Sequence, residues 1–346
     1  MSQSQTGKAA MPSFVSQKSR RISMASTGLV TMHAPAEGAS LPLMIQPSTA
    51  GVDLSTWAAG ERERIRSLLL QHGAILLRGF DVRTTSDFEK FIAIVSEQPL
   101  PYVERSSPRS AVSGHIYSST DYPPQHAIAL HCENSYQKSW PLKIFFYCVV
   151  APVTGGETPI ADTRRVLSRI APEVRDQFAN KGVLYVRNFS AGVGLSWQTV
   201  FQTGDRAAVQ QYCSAGGIEC EWLGEDRLRT RQIRAAIRTH PSSGEPVWFN
   251  HAMFFHISTL DRTTREGLLQ ILGEEDLPNN TYYGDGSAIE PDVLDHLRSA
   301  YDAETVRRSW HQGDILMLDN MLAAHGRAPF TGDRKVVVGM TEPYSG

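Results

Sequence analysis

What most constrains the fold of this chain is where its short β-rich runs fall. Residues 74–77, 127–133, 143–150, 246–250, 314–318 and 335–340 are apolar or β-branched stretches of strand length. Most of them lie toward the two ends, with a more helical stretch between. Residues 164–181 repeat apolar side chains at helical spacing and stop at Gly182, residues 226–237 and 263–272 read likewise, and Pro291 opens another helix at an N1-like position. A first helix is expected over 57–71, with Ile65, Leu68 and Leu69 in phase and Gly73 placed as its C-cap. Strands that flank such an insertion and still share one core suit a jelly-roll, cupin-like double sheet. The expected fold is mainly β with α insertions: a double-stranded β-helix core flanked by helices, with a helical insertion over roughly 164–305.

The first 40 residues are unlike the rest, rich in Ser, Ala, Gly and Thr with a single acid, Glu37. Such a segment buries too little apolar surface to offset its ordering entropy, so 1–40 is expected to be a mobile polar leader and 41–346 a single domain. The 34 basic and 36 acidic residues are mixed along the chain and leave a net charge of −2, which gives no footprint for nucleic acid. No apolar run reaches the ~18 residues of a membrane span, and no secretory signal is recognisable. Cys132, Cys148, Cys213 and Cys220 are too sparse for a disulfide scaffold and are expected to be buried thiols, with Cys213 and Cys220 as a weaker redox-pair alternative. These features together suggest a cytoplasmic protein.

One triplet carries chemistry. His131 and Glu133 are two apart, so an extended strand would present both side chains on one face while Cys132 points away. His325 comes 192 residues after Glu133, and a closed or double-layered sheet is what would return it to the same point. Two imidazoles and one carboxylate form the facial ligand set of non-haem iron(II) oxygenases. The same three residue types also match a catalytic zinc site, so a zinc-dependent hydrolase stays open, as does a barrel that binds a ligand without turnover.

Several motifs extend this reading: Gly73-Ala-Ile-Leu-Leu-Arg-Gly-Phe80, Leu130-His-Cys-Glu-Asn-Ser-Tyr136, Gly155-Gly-Glu-Thr158, Trp248-Phe-Asn250, Gly313 to Asn320, and His325-Gly-Arg-Ala-Pro-Phe-Thr-Gly-Asp-Arg334. From about His72 onward the chain resembles the Fe(II)/2-oxoglutarate-dependent dioxygenases of the taurine and 2,4-D dioxygenase (TauD/TfdA) superfamily. Within that group it is most similar to the branch of clavaminate synthase and the SyrP-like amino-acid hydroxylases of peptide-antibiotic pathways. The resemblance implies that His131, Glu133 and His325 ligate Fe(II). It implies that 2-oxoglutarate chelates the iron while Thr158 and Arg334 bind its far carboxylate, with one position left for O2. The charges agree, since iron with one carboxylate is +1, the cosubstrate dianion makes it −1, and Arg334 restores neutrality in a partly dry site.

The same likeness bears on the outcome. Related halogenases lack the carboxylate supplied here by Glu133, so oxygenation is expected. In the taurine enzyme a second arginine follows the cosubstrate arginine by four residues, and the matching position here is Val338, which argues against a sulfonate. The implied substrate is an amino acid, free or tethered to a peptidyl carrier protein, hydroxylated at an unactivated carbon; desaturation, cyclisation and epoxidation share the same cofactors. Asn134 and Asn250 are candidate substrate contacts, and His251 and His256 are structural or substrate-facing.

Overall fold

The computed structural model describes residues 28–100, 111–118, 122–190 and 192–346. Part of the segment expected as a leader over 1–40 is ordered strand. Strand β1 (Val30–His33) pairs antiparallel with β2 (Leu43–Pro47), because Val30 and Met32 alternate onto one apolar face that packs on the core. Residues 1–27, the remainder of that leader, lie outside the described residues. Helix α1 (Leu54–His72) starts at an Asp53 N-cap, whose carboxylate accepts from Thr56 N at 2.7 Å, and ends where Gly73 takes up the left-handed conformation expected of it. Strand β3 (Ala74–Leu77) and helix α2 (Thr85–Val95) follow, then β4 (Ala111–Ser113), β5 (Ile116–Ser118), β6 (Ile128–His131), β7 (Ser139–Val150), β8 (Thr154–Gly155) and β9 (Ile160–Asp162).

The insertion corrects the sequence reading in two places. The single helix expected over 164–181 is two, α3 (Thr163–Arg169) and α4 (Pro172–Lys181), because Pro172 cannot donate to the preceding turn and drives Ala171 to an extended ψ of 141°. After β10 (Val183–Phe189), α5 (Trp197–Phe201), α6 (Arg206–Gly216) and β11 (Glu219–Leu223), residues 226–237 form no helix. They hold strand β12 (Arg227–Arg234) and enter β13 (Ile237–Thr239). Period two wins there: Leu228, Thr230 and Gln232 are buried, while Arg229 and Arg231 lie opposite Glu221 and Glu219 on the neighbouring strand. Arg229 reaches Asp276 at 2.8 Å and Arg231 reaches Glu221 at 2.9 Å.

The chain continues through β14 (Pro246–Trp248), α7 (Ala252–Phe255), α8 (Arg262–Leu272), β15 (Asn279–Tyr283), α9 (Pro291–Glu304), β16 (Ile315–Asp319), β17 (Ala323–Arg327), β18 (Phe330–Thr331) and β19 (Lys335–Ser345). The insertion is therefore mixed, since β11-β12-β10-β15 make a four-stranded sheet within it. It also has a hydrophobic cluster of its own, built from Phe189, Trp197, Val200, Phe201, Val209 and Leu228 with their neighbours.

An eight-stranded sheet in the order β1-β2-β3-β16-β7-β19-β5-β4 forms the main layer. Strand β7 is buried on both faces, which is why Phe145-Phe146-Tyr147 reads as an unbroken aromatic run. Phe145 and Tyr147 pack with Trp57, Ile65, Phe88 and Phe91 of α1 and α2. Ile144 and Phe146 pack the other way, with Ile160 and Ala323 of a three-stranded sheet β6-β17-β9. Each such side chain contributes about 1.5–3 kcal/mol by leaving water. The protein is thus mainly β with helices, and its second sheet faces the first. Cys132, Cys148 and Cys213 are buried thiols and Cys220 is half-buried, none of them in a disulfide; burial pushes the Cys148 thiol up to about 12 and the Cys132 thiol well up from its ordinary value. Among the described residues no helix is long and apolar enough to cross a membrane.

Candidate metal centre

Strand β17 runs down the middle of the small sheet and brings the distant histidine home. His325 is the register partner of His131 on β6 and of Ile160 on β9, and the two imidazole centroids lie 4.6 Å apart. Directly opposed residues on an antiparallel pair share a face, so the ladder aims both rings to one side. Gly326 makes this pairing possible. A Cβ there would stand 2.5 Å from the Ile128 carbonyl oxygen, at the irregularity between His325 and Arg327. Gly326→Ala is expected to destabilise the fold by about 1–3 kcal/mol and to weaken metal binding with it, measured by thermal melting and calorimetric Mn(II) titration; an unshifted melt would refute the close-approach argument.

Glu133 arrives differently from the expectation. Strand β6 ends at His131, so Glu133 sits in the turn beyond it, followed by Asn134 with φ 57°. The turn is pinned from afar: Asn320 Oδ1 accepts from Glu133 N at 2.8 Å and Asn320 Nδ2 donates to Glu133 O at 2.9 Å. His131, Glu133 and His325 nonetheless offer donor atoms that all lie within 4.8 Å of one another, with His325 Nε2 3.9 Å from Glu133 Oε2. Among the described residues no other His, Cys, Asp or Glu group does so.

These residues fit a metal. A divalent first-row ion sits about 2.0–2.2 Å from such atoms, so small side-chain rotations close the three around it. The hydrogen bonding agrees: His131 Nδ1 lies 2.9 Å from the Ala129 carbonyl, which places the proton on Nδ1 and turns the Nε2 lone pair to the ion. The His131 ring is further held by Phe254, stacked at 4.3 Å, and by the edge of His251 at 5.7 Å.

Thr158 and Arg334 are joined through one strip of chain. Residues 155–162 run antiparallel to 323–331, with Gly326 N donating to Pro159 O, Ala328 N to Glu157 O, and Gly155 paired with Phe330. Thr158 is buried and two residues before Ile160, the partner of His325, and the two line one cavity with Leu76 and Leu316. Arg334 Nε donates to Gly156 O at 2.8 Å, and its guanidinium lies 5.6 Å from the Phe330 ring centre. Burial, reinforced by Arg327, pushes the Arg334 guanidinium down to about 10, which leaves it cationic at neutral pH. The two glycines before Thr158 have a role that residue types alone did not reveal. A Cβ on Gly155 would meet Pro329 O at 2.1 Å, and one on Gly156 would meet Arg334 Cδ at 3.0 Å.

The two asparagines part company. Asn250 Nδ2 donates to Ala236 O and its Oδ1 accepts from Ala252 N, both at 2.9 Å, so its amide is spent on the main chain at the start of α7. Those two bonds give it a structural role in the turn that opens α7. Asn134 is also buried, but its Oδ1 has no hydrogen-bond partner among the described residues. His251 Nδ1 sits 2.5 Å from Ser135 Oγ, and burial, with His131 and Arg187 adding, holds its imidazole well below the usual histidine range. His256 belongs to the turn after α7, where its Nδ1 accepts from Ser258 N; burial pushes it down to about 4.

The model of the taurine catabolism dioxygenase TauD, TfdA family matches residues 37–341. The chain belongs to the TauD/TfdA family. As such it is an Fe(II)- and 2-oxoglutarate-dependent dioxygenase that uses O2. Among its relatives, this dioxygenase is 43% identical over 279 residues to the dapdiamide synthesis protein DdaC of Enterobacter agglomerans, covering 81% of this chain and 85% of DdaC. It is 28% identical over 322 residues to a clavaminate synthase-like protein of Arabidopsis thaliana, covering 88% and 94%. Among solved structures, PvcB of Pseudomonas aeruginosa, described as an Fe, alpha-ketoglutarate dependent oxygenase from an isonitrile synthetic pathway, superposes with a TM-score of 0.55 at 14% identity over 96% of this chain and 94% of its own. At that identity the likeness speaks for the fold.

Proposed function

We propose that His131, Glu133 and His325 hold Fe(II), that Thr158 and Arg334 bind the far carboxylate of 2-oxoglutarate, and that the enzyme hydroxylates an unactivated carbon of an amino-acid-type substrate in secondary metabolism. The observation that carries the reading is the convergence of three ligand atoms within 4.8 Å from segments 192 residues apart. The opposed sheets support treating the core as a double-stranded β-helix. When bound, iron with 2-oxoglutarate and O2 supplies the oxidising power to break the C–H bond, the cosubstrate leaving as succinate and carbon dioxide.

The chain's own side chains do the rest. Arg334 offers a charged fork to a carboxylate and Thr158 a hydroxyl, together fixing which end of the diacid faces inward. Asn134, next to Glu133 and with a buried acceptor awaiting a donor, is the substrate contact we favour, suited to an ammonium or amide N–H. The likeness to DdaC, a dapdiamide synthesis protein, supports a natural-product pathway; the substrate in this reading is amino-acid-like, free or carried on a peptidyl carrier protein, and the setting cytoplasmic.

The test is a screen of free and carrier-loaded amino acids for substrate-dependent succinate release, followed by product mass. Gain of one oxygen atom means hydroxylation or epoxidation, which NMR of the product separates; loss of two hydrogens would replace it with desaturation or ring closure, and no release with any amino acid would overturn the substrate class. Asn134→Ala is expected to raise the substrate KM about tenfold while leaving the KM for 2-oxoglutarate unchanged.

A further inference from the structure

The structure assigns Asn320 as the positioning residue of the carboxylate ligand, with the buried His240–Asp319 pair as its brace; this rests on Glu133 being a metal ligand, as proposed above. Glu133 lies one turn beyond the last residue of β6, so its peptide has lost the ladder partners that hold His131 in register. A ligand so placed would swing with the turn. Asn320 replaces the missing strand. An asparagine amide carries one acceptor and a donor pair, as a peptide group carries an acceptor and a donor, and here it meets both the N–H and the C=O of Glu133, at 2.8 and 2.9 Å. Its second amide proton goes to Pro141 O and its own N–H to Leu142 O, both at 2.9 Å, which ties the turn to β7 of the main sheet.

Asn320 is fully buried, and its neighbour fixes it further. Asp319 N donates to Gly73 O at 2.9 Å, and Asp319 Oδ1 accepts from Met321 N and Leu322 N at 3.0 and 3.1 Å. The other carboxylate oxygen lies 3.0 Å from His240 Nε2. His240 Nδ1 accepts from Ser242 N and Ser243 N, so the Nε2 proton is the one that points at Asp319. The carboxylate ligand is thus referred back through Asn320, Asp319 and His240 to the main sheet and to the loop between β13 and β14. Those same elements would hold a metal-free fold together equally well, so stability cannot separate a positioning role from a structural one. Coupling to Glu133 can.

The experiment is a double-mutant cycle on full-length metal-free protein, read by anaerobic calorimetric titration with Fe(II) alone. Asn320→Ala is expected to weaken Fe(II) binding about tenfold to a hundredfold, the usual effect of removing an outer-sphere partner. In the Glu133→Ala background the same substitution is expected to change it less than about threefold. An equal loss in both backgrounds would overturn the inference while leaving Glu133 a ligand. Unchanged Fe(II) affinity in Glu133→Ala alone would overturn the ligand assignment and the inference with it. Asn320→Asp, which keeps the side-chain volume but sets an oxygen against the Glu133 and Pro141 carbonyls, carries the same expectations and serves if the alanine variant fails to fold.

Discussion

His131→Ala and His325→Ala are each expected to abolish 2-oxoglutarate turnover, a loss of about a thousandfold or more and hence on the order of 4 kcal/mol of barrier. The two rings face each other across one ladder step, 4.6 Å between centroids, and each offers one of the three candidate ligand atoms. In the proposed site neither can be replaced by its partner, because one ring can fill only one coordination position. The measurement is succinate release together with the visible charge-transfer absorbance that appears when Fe(II) and 2-oxoglutarate are added without oxygen. Retained absorbance in either variant would remove that histidine from the metal.

Arg334→Leu is expected to raise the apparent Kd for 2-oxoglutarate about thirtyfold to a thousandfold, corresponding to about 2–4 kcal/mol for stranding a charged partner in a desolvated site. The leucine keeps the apolar stem that lies against Gly156 and Phe330, so the fold is expected to survive. At saturating cosubstrate most of the rate is expected to return, since the guanidinium binds the end remote from the reacting carbon. Arg334→Lys is expected to fall between the two, a point charge replacing a two-pronged donor. Unaltered affinity in Arg334→Leu would end the cosubstrate assignment.

The candidate site residues were legible because they are rare types at meaningful intervals. His131 and Glu133 stand two apart, and the Gly155 to Thr158 and His325 to Arg334 motifs match a family order. Strands such as β7 and β16 were legible from apolar runs of strand length. Arginine-rich β12 was not, because the same letters satisfy a helical period and only the acids of β11 and Asp276 settle which face each arginine takes. The contact of Asn320 with Glu133 was equally hidden, as its partner lies 187 residues away and nothing local marks it. Pro172 did mark the break between α3 and α4, but the apolar period on either side masked it.

The insertion between β9 and β16 carries its own apolar nucleus, formed by residues between Phe189 and Leu228, and this nucleus contains none of the three metal-binding side chains. The rest of the insertion shares one core with the small sheet, where Tyr185, Trp248 and Leu297 pack with Leu130, Ala161 and Ala324. A change in the outer nucleus can therefore be absorbed locally, whereas a change in that shared core bears directly on the register of β17.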